Sequence, residues 1–229
     1  EPDPSFDIEG MDAAHKIGIL SSIAIGTSLP PNDFYVEGIK DIDSTDFKYA
    51  SKLGFSIKHL AVASLTENEV QLRAHPVLVS SDSYLAGLKG VRNGIEVETD
   101  LVGTLHVAGS GAGQESTASG LISDLVYLSN VSSNSSINLN KRIKMNIQPI
   151  DEMEFKYFFK IKTISKDMNL NKIEKIFQKN QVSISAENFD DFYIVIISES
   201  FIENKKDSIM ASLNNLSEVA SVKSIRIEP

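Results

Sequence analysis

The chain has 229 residues and a formal net charge of −9, and 41% of its residues are hydrophobic. This length is enough for one or two domains with a sizeable core, and the composition is that of an ordinary globular protein. The negative charge argues against nucleic acid or anionic lipid as a partner. The absence of Cys excludes disulfides and thiolate metal sites. The sequence has neither a membrane-length apolar run nor a signal-peptide pattern, so we expect a cytoplasmic location.

The first sixteen residues combine a carboxylate-rich turn with the beginning of a helix. Asp12 and Lys16 are four residues apart and therefore face the same side of that helix. The following residues 17–25 are apolar almost all round, which predicts that the helix over 11–25 is buried. A lysine in partly dry surroundings loses basicity and can transfer a proton near neutral pH.

Asp12 and Lys16 have two interpretations. An ordinary helix ion pair, with Asp12 favoured near the helix N-terminus, explains the spacing alone. The apolar remainder of the helix favours a functional pair instead, as does the preceding cluster of carboxylates. Such a cluster suits an ammonium-bearing ligand and leaves Lys16 for proton transfer. The four preceding carboxylates are Glu1, Asp3, Asp7 and Glu9.

The middle of the chain alternates extended and helical patterns. We predict short helices beginning near Ser44 and over 83–91, and a longer helix over about 117–128. Predicted strands occupy 34–39, 55–65, 70–79 and 95–108, with the last one broken at Asp100 and Gly103.

A glycine-rich loop over 109–113 follows a predicted strand and precedes a helix. Its spacing is G-x-G-x-G rather than the G-x-G-x-x-G of a dinucleotide fingerprint. One interpretation is a tight loop with close backbone packing. The other is a helix N-terminus that lies against a phosphate supplied from elsewhere.

The four histidines are scattered, and no pair has metal-ligand spacing. We therefore expect structural roles for them and no metal site. They are His15, His59, His75 and His106.

Composition changes after residue 129. Residues 130–140 are almost entirely Ser and Asn, so we predict a linker over 130–153. The remaining residues 154–229 predict the order βαββαβ, which is the ferredoxin-like arrangement. The expected fold class is therefore α+β, with a mixed α/β domain over 1–129 followed by a ferredoxin-like domain.

Several motifs resemble the homoserine dehydrogenase family. The first is EPDP…DIEGMDAAHK over 1–16, and the others follow in the family order along 1–129. The tail resembles an ACT domain down to its closing residues 225–228, and this domain order is that of the monofunctional enzymes. The other motifs are YVEGI (35–39), LGFSIK (53–58), LRAHP (72–76), GVRNGI (90–95), GAG (111–113) and TAS (117–119).

The resemblance implies interconversion of L-aspartate 4-semialdehyde and L-homoserine with NAD or NADP. It implies that Lys16 donates a proton to the carbonyl oxygen during reduction and that Asp12 holds Lys16 in place. Glu1 and Asp7 match positions that bind the substrate. A weak cofactor contact is assigned to Gly111, Ala112 and Gly113. The family also implies a homodimer formed through the sheet of 1–129.

The chain departs from the family pattern at two places. It lacks the N-terminal nucleotide-binding domain and its fingerprint, so we expect a fragment that is inactive alone. The junction before the first tail helix has Asp167 and Met168 where many ACT domains have Pro-Gly. Binding of threonine as an effector is therefore doubtful. The alternative function is a non-catalytic, amino-acid-binding regulatory protein.

Overall fold

The computed structural model describes residues 3–66, 69–130, 145–165, 168–190 and 192–228. Within these ranges the chain forms two compact units. One comprises the described parts of Glu1–Val79 and Leu139–Pro229, and the other comprises those of Ser80–Asn138. This grouping differs from the predicted boundaries at 129 and 154, because a strand of the first 80 residues pairs with a strand of the tail.

The first 80 residues contribute three helices and three strands to the larger unit. Helix α3 begins with a capping box, in which Asp43 accepts from the amides of Thr45 and Asp46 while Asp46 accepts from the amide of Asp43. The predicted helix near Ser44 is thus confirmed, with Asp43 as its cap. The elements are α1 (Ser5–Ile8), α2 (Met11–Ile25), β1 (Tyr35–Val36), α3 (Ser44–Lys52), β2 (Phe55–Leu65) and β3 (Glu69–Ser80).

The tail has the predicted order βαββαβ, with an additional two-residue strand, β10, between the third strand and the second helix. In its first helix, Ile173 and Phe177 are four residues apart and both are buried, as an amphipathic pattern requires. Strand β6 (Asn146–Ile147) precedes the tail, whose elements are β7 (Glu154–Thr163), α5 (Leu170–Lys179), β8 (Ile184–Asp190), β9 (Tyr193–Ser198), β10 (Phe201–Ile202), α6 (Lys206–Asn214) and β11 (Val219–Ile227).

The described strands of the larger unit form one nine-stranded sheet. In the tail the strand order is β11–β7–β9–β8, and each neighbouring pair is antiparallel. Strand β11 also pairs in parallel with β3, where Arg226 lies opposite Val77. Strands β1, β2 and β6 pair with β3 as well. The described end of the predicted linker thus joins the sheet through β6, while residues 131–144 lie outside the described ranges.

Alternating side chains of β7 fill cores on both faces of the sheet. Phe159 packs in a cluster that includes residues of α5 and α6. Its neighbour Phe158 packs in a second cluster that includes Tyr49 and Ala50 of α3. Helix α3 and the tail helices α5 and α6 therefore cover opposite faces of β7.

The smaller unit contains a hairpin and a helix. Strand β4 (Arg92–Thr99) pairs in antiparallel fashion with β5 (Gly103–Ser110), and α4 (Gln114–Asn130) follows. Gly103 has a φ of +80°, so the predicted break at Gly103 corresponds to the hairpin turn. The predicted helix over 83–91 is wrong, because this segment contains only the single 3₁₀ turn Leu85–Gly87 among its described residues.

Candidate functional site

A short turn leads into helix α2. The amide of Ser5 donates to the carboxylate of Asp3 at 3.0 Å and opens α1. Gly10 then adopts a left-handed conformation with φ of +84° and precedes the first residue of α2. This conformation favours Gly, since an L side chain is strained there. The amide of Ala14 donates to the carbonyl of Gly10 at 3.0 Å and fixes the first turn of the helix.

Asp12 and Lys16 form the predicted pair at this end of α2. Lys16 Nζ donates to Asp12 Oδ2 at 2.6 Å. The Lys16 side chain is 55% exposed, so the described part of the chain does not provide the partly dry surroundings that we expected. The pair is therefore oriented but accessible to solvent.

The prediction that α2 is buried is wrong for the described chain. Ala14, Gly18 and Ser21 are its buried residues, whereas Ile19 and Ile23 are more than half exposed. Gly18 faces the carbonyl of Leu29, which a Cβ at this position would approach to 2.8 Å. One face of the helix thus packs closely, while the described residues leave Ile19 and Ile23 on another face largely uncovered.

The other predicted carboxylates lie along the approach to α2. Asp7 is exposed on α1, and Glu9 pairs with Lys40 at 2.7 Å. Glu1 lies outside the described residues. A shallow pocket of about 340 Å³ lies beside this approach. It is lined by Glu9, Glu37, Gly38, Lys40 and Asp41.

The glycine loop belongs to the smaller unit. A Cβ at Gly111 would lie 1.9 Å from Asn93 Nδ2, so this glycine allows the loop to pack against β4. Gly113 has a φ of +122°, and its carbonyl accepts from Thr117 Oγ1 at 2.9 Å in the first turn of α4. This geometry favours the interpretation that Gly111 allows close packing. The loop does not by itself form a binding site for a dinucleotide. A cofactor contact from Ala112 or Gly113 stays a prediction.

A largely buried group of charges joins Glu37, which follows β1, to the tail, and the sequence did not predict it. Arg226 makes two hydrogen bonds to Glu203, with Nε–Oε2 at 3.0 Å and Nη2–Oε1 at 2.6 Å. Its Nη1 donates to Glu37 Oε2 at 2.7 Å. Arg73 makes a similar two-pronged contact with Glu228 at 2.8 and 2.9 Å. The available signal was the placement of Arg73 and Arg226 inside predicted strands.

Burial and charge shift the pKa values in this group. Burial raises the pKa of Glu203, but hydrogen bonds from Arg226 outweigh it and hold that pKa at about 2. Burial, reinforced by Arg226 and Arg73, lowers the pKa of His75 to about 3. Burial also raises the pKa of Tyr35 to about 12. Charged Glu203 and Arg226 and neutral His75 are therefore the forms that this group favours near pH 7.

The described residues contain no group of three or more His, Cys, Asp or Glu side chains that could hold a metal ion. They also contain no helix that is long and apolar enough to cross a membrane.

Comparison with known proteins identifies the family. The family model for homoserine dehydrogenase matches residues 1–126. Homoserine dehydrogenase from Pseudomonas aeruginosa is 36% identical over 250 residues, covering 100% of this chain and 56% of that protein. The Neisseria gonorrhoeae protein is 33% identical and covers 94% of this chain and 53% of its own length.

Solved structures agree with this family. The homoserine dehydrogenase of Thiobacillus denitrificans matches with a TM-score of 0.89 and 32% identity, over 100% of this chain and 55% of that one. The Staphylococcus aureus enzyme at pH 6.5 matches with a TM-score of 0.73 and 25% identity, again over 100% and 55%. The chain thus has the mixed α/β fold of an oxidoreductase family. It belongs to the homoserine dehydrogenases, and it spans about half the length of the relatives that it matches.

Proposed function

We propose that this chain is the substrate-site and regulatory part of a homoserine dehydrogenase. The full-length enzyme would interconvert L-aspartate 4-semialdehyde and L-homoserine in amino-acid biosynthesis. The observation that carries this proposal is the Asp12–Lys16 hydrogen bond of 2.6 Å at the beginning of α2, inside the segment that the family model matches. The non-catalytic alternative is not favoured by these comparisons.

Lys16 is proposed to act as the acid during reduction of the aldehyde. Its ammonium would donate a proton to the carbonyl oxygen and so neutralise the developing negative charge. Asp12 accepts a hydrogen bond from Lys16, which stabilises the ammonium and restricts its direction. In the oxidation of homoserine the same amine would take the proton of the hydroxyl group. Asp7 and Glu1 would attract the ammonium of the amino-acid substrate.

NAD or NADP supplies the hydride acceptor or donor when bound. Asn93 fills the space beside Gly111, which leaves little room for a close approach of the cofactor to that glycine. We therefore propose that the cofactor is bound mainly outside this chain and that the chain alone is inactive. The exposure of Lys16 supports this proposal, because catalysis at Lys16 would require a covered pocket.

We also propose that the enzyme is a homodimer. Among the described strands, β2 pairs with β3 alone, which leaves one edge available for another chain. In the smaller unit, several large apolar side chains of the hairpin and α4 are exposed. A symmetric second copy would cover such surfaces without a different partner. These side chains include Val97, Val107, Leu121, Leu125 and Val126.

The tail is proposed to be an ACT-type regulatory domain. Its strand order and two packed helices support this assignment. Met168 packs against the tail core at the junction before α5, and this junction has no Gly or Pro between Thr163 and Leu170. Weak or absent threonine binding is therefore proposed, because a close backbone approach is less accessible there. Asp167 lies outside the described residues.

Replacement of Lys16 tests the proposed chemistry. In the full-length protein, Lys16→Ala should lower kcat by roughly 100-fold or more, because the proton donor to the carbonyl oxygen is lost. The matched control is Lys156→Ala. Lys156 of β7 is a similarly exposed lysine and forms an ion pair with Glu199. Steady-state kinetics and circular dichroism of both variants separate chemistry from folding. Near-normal turnover of a folded Lys16→Ala protein would refute the assignment.

A further inference from the structure

We propose that Glu37 is a positioning residue, which links Arg226 of the last tail strand to the beginning of α2 and so fixes the Asp12–Lys16 pair. The inference rests on the proposed function in one respect only, namely that Asp12 and Lys16 are the reacting pair. Among the described residues, no hydrogen bond or ion pair joins Glu37 to either of them, and its carboxylate contacts Arg226 and Tyr35 instead.

At its carboxylate end, Glu37 is held by two donors. Its Oε2 accepts from Arg226 Nη1 at 2.7 Å and from the hydroxyl of Tyr35 at 2.6 Å. Arg226 is only 3% exposed, and its two-pronged contact with Glu203 fixes the plane of the guanidinium. Because that plane is fixed, Nη1 can point in one direction only. The position of Glu37 therefore depends on the placement of β11.

At its backbone end, Glu37 belongs to a segment that packs on the residues before α2. Its carbonyl accepts from His59 Nε2 at 2.8 Å, and the amide of Ile39 donates to the carbonyl of Ile8 at 2.8 Å. A Cβ at Gly38 would lie only 2.4 Å from the carbonyl oxygen of Ile8 and 2.8 Å from the Cα of Glu9. The two backbones are thus in direct contact, with no room for a side chain between them.

This contact reaches the helix that carries the proposed reacting pair. Residues 8–10 run directly into α2, whose first turn is tied to the Gly10 carbonyl. Gly10 also lies against Glu37, since a Cβ added at Gly10 would lie 3.2 Å from the carbonyl oxygen of Glu37. A displacement of residues 37–39 therefore displaces the first turn of α2. Asp12 lies in that turn and Lys16 in the next one, so the direction of both side chains towards the substrate would change.

A purely structural role for Glu37 predicts a different outcome from a positioning role. The Glu37 side chain is 40% exposed, and ion pairs at such exposure contribute little to stability. Loss of the carboxylate should consequently leave the protein folded. A change in turnover with an unchanged thermal transition would then report on position, because small misplacements of reacting groups have large kinetic effects.

The test replaces Glu37 by its isostere in the full-length protein. Glu37→Gln should lower kcat about tenfold and change KM by less than about twofold. The matched control is Glu199→Gln, which removes an exposed ion pair of 3.0 Å with Lys156 of β7. It should leave kcat unchanged.

A second variant approaches the same contact from the backbone side. Gly38→Ala keeps the Glu37 carboxylate but forces residues 37–39 away from Ile8, so kcat should fall at least as far as in Glu37→Gln. Circular dichroism checks that it folds, and Glu37→Gln alone decides if it does not. Unchanged kcat in Glu37→Gln would overturn the positioning role, even if its melting temperature fell. If Lys16→Ala were inactive in the same assay, the proposed function would stand.

Discussion

The tail and the smaller unit use apolar residues in opposite ways. In the tail, α5 is ten residues long, and its Ile173 and Phe177 are buried against the sheet. In the smaller unit, α4 is seventeen residues long and has no buried residue among those described. Both sequences are rich in large apolar side chains, so composition does not explain the difference. What differs is whether the same compact unit supplies a second layer for the helix to pack against.

Substitutions in the tail core and in the smaller unit should therefore change different properties, namely unfolding and association. The tail core is completed by its own elements, so its side chains should determine the free energy of unfolding of the chain. The hairpin and α4 expose side chains such as Val107 and Tyr127, which are 63% and 65% exposed. Contiguous exposed apolar residues of this kind usually mark an interaction surface. Their substitution should change association more than unfolding.

The largest expected effect comes from deleting a ring in the tail core. Phe159 is fully buried, and its ring lies 5.2 Å from that of Phe177. Phe159→Ala should lower the free energy of unfolding by about 3–5 kcal/mol, because it leaves a cavity. The matched change in the smaller unit is Leu125→Ala, which should cost less than about 0.5 kcal/mol. Urea titration of the 229-residue chain measures both, and equal losses would contradict the comparison.

A pH titration gives the next largest effect. The folded pKa of His75 is about 3, below its ordinary value of 6.5, so the neutral form is the one that folding favours. The stability that neutral His75 contributes to the folded chain is therefore fully present above pH 6.5 and is lost as the pH falls from 6.5 towards 3. The slope can reach about 1.4 kcal/mol per pH unit. The pKa of Glu203 is about 2, so the stability that charged Glu203 gives the chain is lost only below about pH 4.5.

A histidine variant makes this titration specific. Between pH 6.5 and 5, His75→Gln should have a flatter dependence of the unfolding free energy on pH than the parent chain. An unaltered slope in His75→Gln would mean that another group causes the acid sensitivity.

The smallest effect on unfolding should come from a charge on α4. Leu125→Asp places a carboxylate on an exposed apolar helix face and should change the unfolding free energy by less than about 0.5 kcal/mol. If a second copy covers this face, the dimer dissociation constant should rise tenfold or more, which corresponds to about 1.4 kcal/mol. Sedimentation velocity across micromolar concentrations measures this change. A parent chain that stays monomeric throughout would refute the proposed dimer surface.

Local patterns predicted the tail well because its elements are set by neighbouring residues. The pattern of residues 154–229 predicted the order βαββαβ, and the buried Ile173 and Phe177 of α5 have the four-residue spacing of such a helix. The same reasoning failed at α2, because an apolar helix sequence does not tell which chain covers it. It failed at 83–91 as well, where residues that suggested a helix form only one 3₁₀ turn at Leu85–Gly87.

The candidate site was predicted in part. The spacing of Asp12 and Lys16 correctly predicted their contact, since i and i+4 positions meet on any helix. The pairing of Glu37 with Arg226 was beyond sequence reasoning, because the two residues are 189 positions apart. Such contacts depend on the parallel pairing of β3 with β11, which leaves no local signal in either strand. The catalytic and substrate-binding roles stay predictions until the kinetic tests are made.

The position of β11 has a consequence for biosynthesis. This strand lies between β3 and β7, yet Arg73 of β3 and Glu228 just after β11 are 155 positions apart. During translation, β3 leaves the ribosome long before its partner strand exists. Contacts of such high sequence separation slow folding, and an unpaired strand is prone to aggregation while it waits. We therefore expect nascent chains that stop before Val219 to depend on chaperones, since an interior strand of their sheet is still missing.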